Sequence, residues 1–259
     1  HRPRPGGHPG RDAALAGSFH VAERSYSTAN LYGAFMEPQS GLADYDPGKG
    51  LLTLRLLIQL PHYAQLAVAR ALDLAADKVR VIVPYVGGGF GGKTEMTPAA
   101  MVACVLARKL ARPVKVTYDR RESMWQNKGR HGSFMKVKMG FSKDGAITAL
   151  DFDTTLDGGA HSSWGLVVLW FTAAMLQLPY AIANIRFNGR RIYTNKPTMG
   201  AQRGVAEVQV RVAVECLLDE AADALGIVAH AIRYRNAVET GYQSPSAVSV
   251  GHSEFKKCL

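Results

Sequence analysis

The segment with the clearest chemical potential is a glycine cluster at residues 87–92, which is followed by Lys93 and Thr94. Five of its six positions are glycine, and only Phe90 interrupts them. Consecutive glycines let backbone N–H groups approach an anionic or hydrogen-bonding ligand closely, and a helix that begins after them favours negative charge there. The sequence therefore predicts a loop that cradles such a ligand.

Two general nucleotide-binding motifs fit this cluster. Residues 87–94 satisfy the P-loop pattern, in which the lysine reaches the phosphates of a nucleoside triphosphate. The glycines at positions 87, 89 and 92 also satisfy the dinucleotide motif of a Rossmann fold. Because so many glycines match many templates, neither match is specific by itself.

The surrounding residues argue against both nucleotide motifs without excluding them. A P-loop protein needs an acidic residue at the end of a second strand; Asp151 is the candidate, but a hairpin signal at residues 143–145 precedes it. A Rossmann fold needs an acid about 20 residues after the glycines, and Asp119 lies too far along the chain. A turn without a ligand would leave a cost of up to about 1 kcal/mol per glycine unexplained.

The order Gly-Gly-Gly-Phe-Gly-Gly-Lys resembles the hallmark of the large, molybdenum-binding subunit of the xanthine dehydrogenase family of molybdopterin hydroxylases. Other segments resemble this family in the same order along the chain, from about residue 18 to the end. They are residues 35–38 (Phe-Met-Glu-Pro), Gln59 at 31 residues before Phe90, Arg130-His131, residues 157–160, 195–197, 200–204 and 215–236.

The resemblance implies a molybdenum–molybdopterin cofactor in its dinucleotide form, with the metal held by pterin sulfurs and by no protein side chain. Gln59 would donate a hydrogen bond to the oxo ligand of the metal, although it could also simply end a buried strand. Arg203 would hold a cofactor segment or cap a turn. The cofactor-binding residues implied are Gln59, Gly88, Gly89, Phe90, Gly91, Gly92, Ala201, Gln202, Arg203 and Gly204.

Other side chains near these segments are assigned roles from their chemistry and from the resemblance. Phe90 and Glu95 are the candidates for substrate contact, and Glu95 is also interpretable as a solvated carboxylate at a helix start. Glu37 is expected to bond the backbone of a neighbouring loop. His62 and His131 are expected to make ordinary hydrogen bonds rather than to ligate a metal.

Within the family, residues 200–211 together with Glu215 are most similar to the 4-hydroxybenzoyl-CoA reductase branch. Thr94 stands where the purine enzymes of the family carry an acid, which disfavours purine chemistry. The resemblance therefore implies an oxidoreductase of the hydroxylase, dehydrogenase or aromatic acyl-CoA reductase type. Its substrate would be a small aromatic compound or an acyl-CoA.

The chain is interpreted as part of a longer subunit, because it begins with His1 and because the family's glutamate base would lie beyond its last residue. No catalytic residue is therefore identified in it, and the fragment alone is expected to be inactive. Iron–sulfur clusters and FAD are expected only in partner subunits or domains, with an iron–sulfur subunit and a flavin subunit assembling as an oligomer of heterotrimers. The alternative is a P-loop nucleotide-binding protein that uses residues 87–94.

Composition sets the broad class. The 259 residues are 47% hydrophobic and 20% charged, which excludes a disordered chain. The formal net charge of +10 accompanies no RNA-binding motif, zinc finger or dense basic tract, so an anionic substrate or acidic partner explains it better than nucleic acid. The longest apolar stretch, residues 166–178, is shorter than the roughly 18–20 residues of a membrane span. Three well-separated cysteines indicate a reducing, cytoplasmic compartment.

The pattern of hydrophobic residues and turn signals predicts an α+β fold with mixed sheets and packed helices. Strands are predicted near residues 18–26 and at 51–58, 79–83, 114–118, 134–141, 146–152 and 185–193, and helices at 61–76, 98–110 and 208–225. Residues 1–17 are predicted to be a disordered lead. Residues 18–259 are predicted to form a first molybdopterin-binding domain that is incomplete relative to the full subunit.

Overall fold

The structure is a computed structural model that describes residues 9–126 and 128–259. The predicted α+β class is confirmed: in these ranges helices pack against two four-stranded mixed sheets. The strands are β1 (His20–Thr28), β2 (Ser40–Asp46), β3 (Leu51–Leu56), β4 (Val79–Ile82), β5 (Val114–Thr117), β6 (Gly132–Phe141), β7 (Ile147–Asp157) and β8 (Ile185–Ile192).

The helices lie before, between and after these strands. They are α1 (Pro9–Ala16), α2 (Pro61–Leu72), a 3₁₀ turn (Ala76–Lys78), α3 (Pro98–Leu110), α4 (Arg120–Gln126), α5 (Gly165–Met175), α6 (Glu207–Leu225), α7 (Ala229–Asn236) and α8 (Phe255–Cys258). Within the described parts of the chain, no helix is long and apolar enough to cross a membrane.

The first sheet has the strand order β1-β6-β7-β8, with β7 and β8 parallel and the other neighbours antiparallel. Along β6, Met135, Val137 and Met139 alternate with more exposed residues, so one face of the strand enters the core. Helix α6 covers that face with Val214 and Leu217. This core therefore fixes the first sheet to α6.

The second sheet has the order β4-β3-β2-β5, and only the β3–β4 pair is parallel. Leu52, Leu54 and Leu56 of β3 are buried in a separate core with residues of α2 and α3. Helix α3 begins as predicted, because Pro98 occupies its first turn and the Thr97 side chain accepts a hydrogen bond from the Ala100 backbone at 3.3 Å. Each sheet therefore has its own core.

The predicted disordered lead at residues 1–17 is corrected over its second half. Residues 9–16 form α1, and the guanidinium of the buried Arg11 lies 2.5 Å from a carboxylate oxygen of Asp151 on β7. A single long-range ion pair of this kind anchors a segment whose local sequence is rich in glycine and proline. The rest of the predicted lead, residues 1–8, lies outside the described residues.

The loops of the two sheets meet at one place. The segments that follow β3 and β4 contact each other through the Gln59 and Lys93 backbones, at 2.7 Å. The segment after β8 reaches the same place, where the Arg203 N–H donates to the Phe90 carbonyl at 2.9 Å. The two sheets thus position three loop segments against one another.

Candidate functional site

The side-chain amide of Gln59 is held by the glycine loop. Its Oε1 accepts from the backbone N–H groups of Gly91 at 3.0 Å and Lys93 at 3.2 Å. These two donors identify the oxygen end of the amide and orient the group. Gln59 is exposed, and no described residue accepts a hydrogen bond from its Nε2. The amide N–H₂ is therefore a fixed and available donor.

The glycine loop packs tightly against the segment at residues 201–204. Gly91 has φ +95°, a conformation that only glycine adopts readily, and a Cβ there would lie 2.6 Å from the Ala201 carbonyl oxygen. A Cβ on Gly89 would lie 2.6 Å from Oε1 of Gln59. The glycines therefore let two backbone segments and one amide converge without side chains between them.

The predicted cofactor-binding residues form two groups that the fold brings together. The first group is Gln59, Gly88, Gly89, Phe90, Gly91 and Gly92, and the second is Ala201, Gln202, Arg203 and Gly204. Ala201 and Gln202 are buried, whereas Arg203 and Gly204 are exposed. The convergence is observed, and the role of each residue toward a ligand stays a prediction.

Phe90 is the one non-glycine residue within the loop at residues 87–92, and it has φ +50°. A non-glycine residue in this region carries about 1–3 kcal/mol of strain, which persists where surrounding contacts hold it. The ring is 46% exposed, and the guanidinium carbon of Arg203 lies 5.8 Å from its centroid. The loop thus leaves an aromatic ring partly open to solvent beside the Arg203 guanidinium.

An ion pair beneath the loop supports it. Lys93 is 1% exposed, and its Nζ lies 2.6 Å from Oε2 of Glu37, which also accepts the Gly87 N–H at 2.7 Å. The Lys93 ammonium also lies 4.7 Å from the centroid of the Phe35 ring. The predicted bond from Glu37 to a neighbouring loop is confirmed. Its pairing with Lys93 carries no local signal in the sequence, because 56 residues separate the two.

The contacts of Lys93 do not match a P-loop. A P-loop lysine reaches out to phosphates, whereas the Lys93 ammonium is buried against Glu37. Helix α3 begins only at Pro98, so its first amides are not adjacent to the glycines. Asp151, the candidate acid of that interpretation, is paired with Arg11 and Arg186. The geometry gives the nucleotide alternative no support.

The buried pair leads to a stability prediction. Lys93→Ala should lower the free energy of unfolding by about 2–4 kcal/mol, because Glu37 would lose its partner. Lys49→Ala is the matched control, since its ammonium is exposed and removing it should cost less than about 1 kcal/mol. Urea unfolding measures the free energy of unfolding of both variants. Calorimetry should detect no ATP binding by the wild-type protein or by the Lys93→Ala variant. Micromolar ATP affinity that disappears in the variant would restore the P-loop interpretation.

Glu95, the candidate substrate contact, lies among polar partners. Its Oε2 pairs with the Lys128 ammonium and accepts from the Ser163 hydroxyl at 2.7 Å. Because α3 begins at Pro98, Glu95 precedes the helix rather than lying in its first turn. Glu95 therefore links the segment between the glycine loop and α3 to the loop before α5. Its contact with a substrate stays a prediction.

His131 is buried behind the site, whereas His62 is exposed. Nε2 of His131 accepts a hydrogen bond from Nε of Arg191 at 3.1 Å, and no described residue bonds Nδ1 of His131. Burial, with repulsion from Arg191 as a smaller cause, lowers the pKa of His131 to about 4. The ring is therefore neutral at pH 7, and the described residues contain no cluster of three metal-ligating side chains.

This depressed pKa predicts a loss of stability in mild acid. The unfolded histidine titrates near 6.5 and the folded one at about 4, so the unfolded state binds the proton more strongly between these values. The free energy of unfolding should fall as the pH drops from 6.5 to 4, by up to about 3 kcal/mol from this group. His131→Gln should flatten that part of the urea-unfolding pH profile. An unchanged profile would show that another group controls it, and His62→Gln is the exposed control.

The site as a whole offers hydrogen-bond donors rather than metal ligands. Its accessible groups are the Gln59 amide N–H₂, backbone amides of two loops and the Phe90 ring beside the Arg203 guanidinium. Such donors suit a ligand that presents anionic or electron-rich atoms.

Comparisons with known proteins extend over most of the chain. Residues 5–237 match a family model described as a molybdopterin cofactor-binding domain. The nicotinate dehydrogenase large molybdopterin subunit of Eubacterium barkeri is 36% identical over 230 residues, which cover 89% of this chain and 54% of that protein. The nicotine 6-hydroxylase large subunit of Paenarthrobacter nicotinovorans is 31% identical over 253 residues, which cover 96% of this chain and 31% of that protein.

Solved structures show the same similarity. Quinoline 2-oxidoreductase from Pseudomonas putida 86 superimposes with a TM-score of 0.90 at 28% identity, covering 95% of this chain and 32% of the other. Aldehyde oxidoreductase from Desulfovibrio gigas gives a TM-score of 0.89 at 26% identity, covering 95% and 27%. The chain thus spans about half or less of the length of these similar proteins.

Proposed function

The chain belongs to the family of molybdopterin cofactor-binding domains, and on this basis we propose that it holds one side of a molybdenum–molybdopterin cofactor in the large subunit of an oxidoreductase. The observation that carries the proposal is the convergence of the oriented Gln59 amide, the glycine loop and residues 201–204 at one exposed place.

The residues present fit such a cofactor. A Cβ at position 91 would collide with the backbone of Ala201, so glycine there lets the two segments lie directly against each other and present their backbone together. The site provides donors and no cluster of ligating side chains among the described residues, which suits a metal held by pterin sulfurs. When bound, the cofactor supplies a two-electron oxidation or reduction of the substrate.

Each protein group has a proposed task at the bound cofactor. The Gln59 N–H₂ donates a hydrogen bond to it, and the two loop amides on Oε1 keep the donor in place. The Phe90 ring forms a wall of the pocket and excludes water from one side. Residues 201–204 complete the cradle through their backbone.

We propose a small aromatic substrate for the intact enzyme. The exposed Phe90 ring supports this, as do relatives named for nicotinate and nicotine. The second candidate is an aromatic acyl-CoA, supported by the resemblance of residues 200–211 and Glu215 to the 4-hydroxybenzoyl-CoA reductase branch. Glu215, on α6, accepts hydrogen bonds from the Tyr180 hydroxyl and from Arg233 on α7, so this resemblance concerns the packing of the helices more than the site.

The remaining proposals concern assembly. We propose that the cofactor is the dinucleotide form, and that electrons pass through an iron–sulfur subunit and a flavin subunit in an oligomer of heterotrimers in the cytoplasm. The names of relatives as large subunits support the presence of partners. The free thiols of Cys104, Cys216 and Cys258 agree with a reducing compartment.

Metal analysis of the purified parent subunit tests the central proposal. We expect molybdenum and a pterin in near-stoichiometric amounts with folded subunit, and no ATP. Residues 1–259 alone should give no substrate-dependent dye reduction, because the glutamate base and the redox partners are proposed to lie elsewhere. A folded, complete subunit without molybdenum would overturn the proposal.

A further inference from the structure

A buried arginine lies directly behind the second cofactor segment. Arg130 is 8% exposed, and its Nη2 donates to the carbonyl oxygen of Arg203. Its Nη1 donates to Oε1 of Gln209 at 3.3 Å, and its backbone N–H is shared between the Leu31 carbonyl at 2.8 Å and Oε1 of Gln202 at 3.2 Å. Side chain and backbone of one residue therefore both hold the segment at residues 201–204.

Gln209 ties this arrangement to the sheet. Its Nε2 donates to the carbonyl of His131 at 3.0 Å, at the start of β6. The amide therefore bridges the Arg130 guanidinium and the backbone of the next residue. Because Gln209 lies on α6, the helix, the strand and the segment at residues 201–204 are joined through one guanidinium.

The positive charge of Arg130 has no carboxylate partner among the described residues. Only neutral oxygen atoms contact the guanidinium, and its Nε has no hydrogen-bond partner in the described parts of the chain. A buried cation compensated only by neutral groups is costly. Packing alone does not require this cost, whereas an anionic ligand on the far side of the segment would offset it.

The contact with Arg203 also orients the next backbone amide. In a trans peptide the C=O and the following N–H point in opposite directions. The Arg203 carbonyl faces the buried guanidinium, so the N–H of Gly204 faces away from it. Gly204 is exposed, and no described residue accepts from its N–H.

From these contacts we propose that Arg130 is a positioning residue of the cofactor site. Its guanidinium holds the Arg203–Gly204 peptide so that the Gly204 N–H donates to an anionic oxygen or sulfur of the bound cofactor, and its charge stabilises that anion. The inference rests on the proposed function, which names the ligand. It adds a source of positive potential that lies outside the loops themselves.

The test compares the buried Arg130 with the partly buried Arg211 in the complete, cofactor-loaded enzyme. Arg130→Met removes the charge and the contact with the segment. Arg211→Met is the matched control, because Nη2 of Arg211 also donates to backbone carbonyls, those of Met175 and Leu176 at the C-terminal end of α5. The measurements are the rate of molybdenum release and the melting temperature of the cofactor-free protein.

We expect both substitutions to lower the melting temperature, but only Arg130→Met to release molybdenum faster, by about 10- to 100-fold. Arg130→Lys should recover part of the retention, because it restores the charge without the planar fork. Equal release from wild type and Arg130→Met, or equal acceleration by both substitutions, would overturn the inference. Wild-type enzyme without molybdenum would instead overturn the proposed function and the inference with it.

A second pair of variants separates the effect of the Arg130 charge from effects on folding. It tests the inference even if Arg130→Met does not fold. Gln209→Glu places a carboxylate beside the guanidinium and neutralises its field, while Arg130 can still bond the Arg203 carbonyl. Gln209→Met loses the same bond to His131 and adds no charge. Gln209→Glu should release molybdenum on the order of tenfold faster than Gln209→Met. Equal rates would show that the charge of Arg130 does not act on the cofactor.

Discussion

Replacing Gly91 with valine should remove most of the molybdenum from the complete subunit. Its Cβ would meet the Ala201 carbonyl oxygen at 2.6 Å, and backbone on both sides cannot rotate away as a flexible side chain can. The residue also has φ +95°, which costs a β-branched side chain more than about 1–2 kcal/mol. The two cofactor segments would have to separate, and the Gly91 N–H would leave the Gln59 amide.

Molybdenum per folded subunit, measured beside the melting temperature, checks this expectation. Gly50→Val is the matched control, because Gly50 also has positive φ, at +61°, but no atom lies within 4 Å of its added Cβ. The control should lose stability and keep its metal. Full molybdenum content in a folded Gly91→Val subunit would contradict the proposed cradle.

Gln59→Glu should reduce kcat by about 10²–10³ while most of the molybdenum remains bound. A carboxylate oxygen can still accept the N–H groups of Gly91 and Lys93, so the loop keeps its anchor. The donor that faces the cofactor is lost, however, and a negative charge takes its place. The loss should therefore appear in the reaction rate more than in folding or cofactor content.

Gln59→Leu separates the two tasks of the amide. Leucine neither donates to the cofactor nor accepts from the loop, so this variant should lose molybdenum as well as activity. Steady-state kinetics per molybdenum atom, together with metal analysis, distinguish the variants. A Gln59→Glu enzyme with unchanged kcat would show that the amide N–H₂ has no role in the reaction.

Much of the fold follows from local patterns in the sequence. Thr97 and Pro98 mark the start of α3 because a hydroxyl cap and a proline are both favourable at a helix N-terminus. The helix α6 ends where Gly226 adopts φ +68°, as its position predicts. Alternating apolar residues locate β3 and β6 in the same way. These signals involve neighbouring residues, so they remain visible without the tertiary structure.

The helix α1, where disorder is predicted, depends instead on a contact between distant residues. The glycine and proline content of residues 1–17 predicts disorder, yet Arg11 reaches Asp151, which lies 140 residues away. A contact of this length leaves no periodicity in the sequence. The pairing of Lys93 with Glu37 is equally invisible in the sequence, because 56 residues separate the two.

The sequence alone located the glycine loop and, through resemblance, identified the family. The chemical class of ligand at the loop and the ten candidate cofactor residues are predictions from the same sequence. Only the tertiary structure decided that Gly91 touches Ala201, that the Gln59 amide is oriented by the loop and that Arg130 lies behind Arg203. The physical reason is chain separation. Local backbone preferences act over a few residues. The site instead forms where the loops of two separately packed sheets come together, and the packing of the whole chain determines where those loops lie.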